Sequence, residues 1–214
     1  MRKVFSSVNR AAMTGTCNNR RDHILEREFW KPGNMLYPCP AVMVSCQRPN
    51  EKPNIITLAW AGTICSDPVM LSISIRPGRY SYNIIKETGE FVVNLTNAEL
   101  AHAADLCGVK SGRDTDKFKE TGLTAAVSKT VSAPSIAQSP VSLECRVKDI
   151  IPLGSHDMFL GEVTAVSVDK KYMDSNGKFC LEDANLIAYS HGKYMSLGEC
   201  IGKFGYSVEK KGKR

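Results

Sequence analysis

The sequence predicts a mainly β protein, a β-barrel carrying a few short helices. Three observations lead there. Six or more runs are rich in Val, Ile, Leu and small residues, and helical patterns are few and short. The length of 214 residues suits one core and is marginal for two.

In chain order, residues 1–27 show no sustained period and read as a disordered extension, with ordered structure expected to begin near Phe29 and Trp30. Runs 41–47, 54–60 and 69–75 read as strands. Pro49 and Pro53 bracket the first turn and Ser66-Asp67-Pro68 makes the second. Residues 81–87 form a short predicted helix, with Ser81 as N-cap and Gly89 closing it, and 90–95 returns to strand. A helix over 97–107 would bury Leu100, Ala103, Ala104 and Cys107 on one side, with Gly108 just past its end. A short strand is expected within 123–128, and two long ones over 141–152 and 158–168. A turn at 174–177 and a strand-like run at 186–189 precede a Gly-rich stretch. One domain over 28–208 and a basic tail over 209–214 complete the plan.

The net charge of +6 does not point to nucleic acid. Residues 1–21 carry five of those charges and no acid, and 209–214 carry three more, which leaves the body at −2. The eight cysteines are scattered, with no CxxC, HxxxH or HExxH pattern, which argues against disulfides and against a metal site. Residues 1–30 hold no apolar signal segment, and no run reaches the roughly 18 apolar residues of a membrane helix. A reduced cytoplasmic setting is expected. Asn94-Leu95-Thr96 fits a glycosylation sequon but ends a strand-like run, so no glycan is expected.

Three segments carry candidate chemistry. Around Thr57, Trp60, Thr63, Cys65 and Ser66, small and hydroxylated residues surround Gly62, which lets a flat ligand approach the main chain. By itself the segment equally fits a buried strand whose hydroxyls bond their own backbone. Arg76-Pro77-Gly78-Arg79-Tyr80-Ser81 turns directly into a helix start, where free N–H groups, the dipole and Arg79 favour an anion. An ordinary capped helix with solvated arginines also fits. The loop 111–117 offers Ser111, Arg113 or Lys117 to the same anion, or is simply another helix start capped by Asp114 or Thr115. Together the segments suit a phosphate-bearing aromatic ligand such as FMN. Cys65 beside a flavin could exchange electrons, or be a small buried apolar residue. There is no GxGxxG, so no Rossmann nucleotide site is expected.

The order of these motifs resembles the flavin reductase-like, FMN-binding split-barrel family, and within it the flavoredoxins. The resemblance runs from about residue 31 to 208. It rests on Asn54-Ile55-Ile56-Thr57, Trp60-Ala61-Gly62, Ser66-Asp67-Pro68, Arg79-Tyr80-Ser81, the loop 111–118, Gly154-Ser155-His156-Asp157 and Tyr189-Ser190-His191. It implies that Thr57, Trp60, Ala61, Gly62, Thr63, Ile64, Cys65 and Ser66 line the isoalloxazine and ribityl chain. Arg79, Ser81 and Lys117 would lie near the phosphate, with Tyr80 and Ser111 among the cofactor contacts. His156 would sit by the open flavin face as a proton donor, and His191 and Tyr194 would reach the flavin of the same or a partner subunit of a homodimer. His23 and His102 are assigned to the surface. The implied activity passes electrons from NAD(P)H or a reduced redox protein through FMN to a flavin, ferric or protein acceptor. A non-catalytic FMN-storage module is the alternative. A pyridoxamine-phosphate-oxidase-type activity is disfavoured by the absence of an obvious vitamin-phosphate basic cluster.

Overall fold

The computed structural model describes residues 27–208. The expected extension, except for Arg27, and the basic tail lie outside the described residues. The described residues up to Asn34 belong to a unit of their own. Its described part holds no helix or strand, and Trp30 Nε1 donates to Glu28 Oε2 at 3.3 Å.

The body runs β1 (Cys39–Pro40), β2 (Val42–Cys46), β3 (Asn54–Leu58), β4 (Ala61–Ser66), β5 (Val69–Ile75), α1 (Tyr80–Thr88) and β6 (Glu90–Leu95). Next come α2 (Ala101–Val109), α3 (Lys117–Thr121), β7 (Ala125–Ala126), β8 (Ser135–Ile136), β9 (Val141–Pro152), β10 (Asp157–Val168), β11 (Ile187–Ser190) and β12 (Lys193–Ser196). Seven strands form one antiparallel sheet in the order β3-β2-β6-β9-β10-β5-β4. It curls into a half-barrel, the mainly β split-barrel architecture expected. A three-stranded sheet, β1-β11-β12, and a two-stranded one, β7-β8, complete it. Register shifts at Leu160/Gly161 and Val163/Ala165 mark bulges in the long β9–β10 pair, the kind of irregularity that increases local twist.

The period-two pattern of β2 and β3 explains where the core sits. Val42, Val44 and Cys46 point into the barrel with Ile56, Ile73, Phe91 and Phe159. Met43 and Ile55 point the other way, against Leu100, Ala104, Cys107 and Phe118 of the helical layer. Both faces of these strands are therefore covered. Each fully buried large side chain contributes about 1.5–3 kcal/mol relative to exposure. Asn94 is fully buried, and its amide donates to Met43 O, Ser45 Oγ and Val92 O. Its Oδ1 accepts from Ile136 N and Ser142 Oγ, so the sequon asparagine is a structural clamp.

Several local expectations need correction. Arg79, not Ser81, is the N-cap of α1, and it caps without a side-chain bond. Ser81 is buried and its hydroxyl accepts from Asn54 Nδ2 at 2.7 Å. Gly89 does close the helix, at φ +68° in the left-handed region where a Cβ is disfavoured. The second helix opens as a 3₁₀ turn over Ala98–Leu100, capped by Asn97 Oδ1 on Leu100 N. Gly108 lies inside α2 rather than beyond it. Asp116, not Asp114 or Thr115, caps α3 by accepting from Lys119 N at 3.2 Å. Residues 61–66 and 193–196 are strands of their own, and the strand expected within 123–128 spans only two residues.

Candidate functional site

β5 ends at Ile75, and the Arg76–Arg79 turn, closed by Arg79 N donating to Arg76 O at 3.0 Å, leads straight into α1. The first turn of a helix leaves backbone N–H groups without intrahelical partners, and here it faces a hollow. Two hollows meet at this point. The larger, about 290 Å³, is lined by Thr57 of β3, Trp60 in the bend between β3 and β4, Arg76 and Arg79, Asp105 and Val109 of α2, His156, Tyr189 and Tyr194. The smaller, about 120 Å³, is lined by Asn54, Arg79, Tyr80, Ser81, Lys110, Ser111, Gly112, Arg113 and Lys117. Ile56, Arg79 and Gly108 belong to both, so they form one cleft with an aromatic end and a cationic end.

The cationic end is tightly built. A Cβ on Gly112 would lie 2.2 Å from Asn54 Oδ1 and 2.7 Å from Tyr80 Cδ1, so only glycine brings the 111–116 loop this close. Lys117 is buried and donates to Ile55 O at 2.6 Å and Cys107 O at 2.7 Å. Burial lowers its pKa, because the charged form has lost water. The Cys46 and Cys107 thiols nearby are pushed up by burial to about 12 and about 11, and stay protonated and inert.

At the aromatic end, Tyr37 lies 6.3 Å from the Trp60 ring and 6.1 Å from Tyr189, and Tyr189 lies 5.9 Å from Tyr194. Burial, then the negative charge of the nearby Asp105 carboxylate, pushes Tyr194 up to about 12, so the phenol keeps its proton. His156 sits in the turn between β9 and β10, with Nδ1 2.9 Å from Ser155 Oγ. Burial lowers its pKa, and Arg76 and Arg79 add to the effect, so the ring is neutral at pH 7. Asp157, the next residue, accepts from Tyr82 Oη at 2.5 Å and anchors this turn to α1.

The structure thus gathers Thr57, Trp60, Arg79 and His156 around the larger hollow and Arg79, Tyr80, Ser81, Ser111 and Lys117 around the smaller. It does not bring the β4 residues to either. Gly62, Thr63, Ile64 and Ser66 are exposed on an edge strand, Ala61 packs toward the barrel core, and Cys65 Sγ contacts Asp67 O. His191, at φ +50°, lies in the β11–β12 turn, 5.7 Å from the Tyr37 ring and outside both hollows. His102 is exposed, and His23 lies outside the described residues. Asp105 and Val109 line the cleft without having been singled out; on a short helix no periodic signal separates a cleft residue from a solvated one. Among the described residues all seven cysteines are free, no three His, Cys, Asp or Glu side chains are grouped to hold a metal, and no helix is long and apolar enough to cross a membrane.

A half-barrel whose cleft joins an aromatic wall to a cationic helix start defines a class of nucleotide-cofactor-binding barrels. The chain belongs to the flavin reductase-like family: the Flavin reductase like domain model matches residues 35–198. An uncharacterized protein of Pyrococcus abyssi is 31% identical over 167 residues, covering 78% of this chain and 95% of that one. Flavoredoxin of Desulfovibrio vulgaris (Miyazaki F) superposes with a TM-score of 0.80 at 27% identity, covering 86% of this chain and 100% of the other. An FMN-binding protein from Thermus thermophilus shares the fold at a TM-score of 0.71 and 22% identity, over 83% of this chain and 100% of that one.

The donor set present fits a phosphorylated flavin. Arginines, a serine hydroxyl and a helix start line the smaller hollow with the kinds of donor a phosphate takes, and the aromatic-lined slot beside Thr57 has the kind of wall a flat ring takes.

Proposed function

We propose that the protein is an FMN-dependent oxidoreductase or electron carrier of flavoredoxin or flavin reductase type, working as a homodimer. The observation that carries this is Arg79, which lines both hollows and so stands where a ring-bearing chain would pass into its phosphate. When bound, FMN supplies hydride or one-electron chemistry. Arg79, Ser111 and Arg113, with the start of α1, hold the phosphate by charge-assisted bonds. Thr57 and Trp60 orient the ring, and Tyr189 and Tyr194 exclude water from the wide end. His156, with Nδ1 engaged by Ser155, has Nε2 free to deliver a proton to a bound acceptor. NAD(P)H or a reduced redox protein is the donor, and a flavin, ferric complex or protein the acceptor.

The relatives support the reading: neighbours of the same fold include nitrilotriacetate monooxygenase component B from Bacillus cereus and 2-nitrobenzoate 2-nitroreductase from Pseudomonas fluorescens. A second copy would cover apolar groups that stand exposed, Ile64 on edge strand β4 and Leu197, Ile201 and Phe204 near the chain end. The free thiols suit a reduced, cytoplasmic setting. The visible spectrum of protein incubated with FMN and desalted, before and after anaerobic NADH or NADPH, tests the proposal. Retained oxidised-flavin bands that bleach support it. A colourless protein refutes it; bands that neither nicotinamide nor a reduced iron–sulfur protein bleaches leave only the storage module.

A further inference from the structure

The cationic hollow has a second opening. On its outer side lies a groove of about 390 Å³, lined by Glu51, Lys52, Asp114, Thr115 and Asp116, and it shares Asn54, Tyr80, Gly112 and Arg113 with the hollow. Of the shared residues, Asn54 is tied to Ser81, and Gly112 is wedged against Asn54 and Tyr80. Arg113 differs. It is exposed, its guanidinium lies over the Tyr80 ring at 5.9 Å, and both terminal nitrogens reach Gly78 O at 3.4 Å. The side chain therefore spans from the 111–116 loop to the turn before α1, across the boundary between hollow and groove. Its backbone N–H is fixed by Ser111 Oγ at 3.2 Å, so the base of the bar is anchored while its tip is held by weak contacts.

The groove beyond carries three carboxylates, Glu51, Asp114 and Asp116, with Asp116 paired to Lys52 at 3.1 Å. A single terminal phosphate stays on the inner, cationic side. A pyrophosphate would have to push Arg113 off Tyr80 and place its outer phosphate among those carboxylates. We infer that Arg113 is the bar that restricts this cleft to a flavin mononucleotide and rejects a dinucleotide such as FAD, whose adenosine would need the outer groove. The inference rests on the flavin reading of the cleft. Arg113 acts through steric closure and charge, not on the reacting ring.

The test is equilibrium titration of wild type, Arg113→Ala and Arg113→Lys with FMN and with FAD, read by protein fluorescence quenching, with melting curves confirming that each variant is folded. Wild type should bind FMN at least tenfold more tightly than FAD. Arg113→Ala weakens FMN through the lost charge but opens the groove, so the FMN-to-FAD affinity ratio should fall about tenfold, as expected from one cation–π contact plus charged hydrogen bonds. Arg113→Lys keeps the charge without the flat span over Tyr80 and should fall between. A ratio within twofold of wild type in Arg113→Ala overturns the inference, as does equal binding of both flavins by wild type. If wild type binds neither, the flavin reading itself fails and the inference with it.

Discussion

Arg79→Ala separates the phosphate end of the cleft from the ring end. The Arg79 side chain makes no capping bond to α1, although its backbone is the N-cap, so the substitution leaves the helix start in place. Surface changes of this kind stay within about 0.5 kcal/mol of stability. What is lost is a guanidinium at the junction of the two hollows. A phosphate monoester carries about −1.5 to −2 charges near pH 7, and a hydrogen bond between charged groups is worth about 1.5–3 kcal/mol. FMN affinity should therefore drop by about tenfold to 150-fold. Riboflavin, which has the ring and ribityl chain but no phosphate, should lose less than threefold. Fluorescence titration of both ligands against both proteins gives the four constants needed. An equal loss for FMN and riboflavin would refute the assignment of Arg79 to the phosphate, and so would no loss for either.

Other consequences follow from the same geometry. Gly112→Ala places a methyl on Asn54 and Tyr80, so the loop must shift. Overpacking of about 1–3 kcal/mol is expected in urea melts, together with at least tenfold weaker FMN binding. Glu144 is buried; burial alone would raise its pKa, but bonds from Lys129 N, Thr130 N and Thr130 Oγ1 bring it below 4.5. Its contribution is complete above pH 4.5 and fades as pH falls through the lower folded-state value. Glu144→Ala should lower stability at pH 7 by about 2 kcal/mol and flatten the acid limb of the urea midpoint between pH 7 and pH 3. His156, with its pKa below 6.5, should make turnover rise as pH falls through that value. His156→Gln should erase the limb and slow turnover on the order of 100-fold; an unchanged pH profile removes the proton-donor role.

The strands that line both sides of the core were legible because their alternation is dictated by burial, as with Val42, Val44 and Ile56 against Met43 and Ile55. Edge strand β4 was legible only as one half of an alternative, and as a buried strand; Gly62 and Thr63 instead face solvent and carry no alternating apolar signal to set its bounds or its exposure. The cap of α3 at Asp116 was misplaced because neighbouring Asp114, Thr115 and Asp116 can each bond an N–H, and tertiary packing selects among them. Ser81 illustrates the cost of local reasoning: its hydroxyl serves Asn54, a residue 27 positions away. Arg79 and Thr57 were readable from their motifs. Tyr189 and Tyr194 were reachable only through the family resemblance, and Asp105 meets them only through the fold, with no local record in the sequence.

Lys117 enters the interior with its Nζ bonded to Ile55 O and Cys107 O, both neutral carbonyls, and burial lowers its pKa. That amine stands, short of water, beside the place proposed for a dianion, whose charge would favour its protonated form. Loading and folding then become one linked equilibrium, with heat resistance tracking how much mononucleotide the surroundings supply.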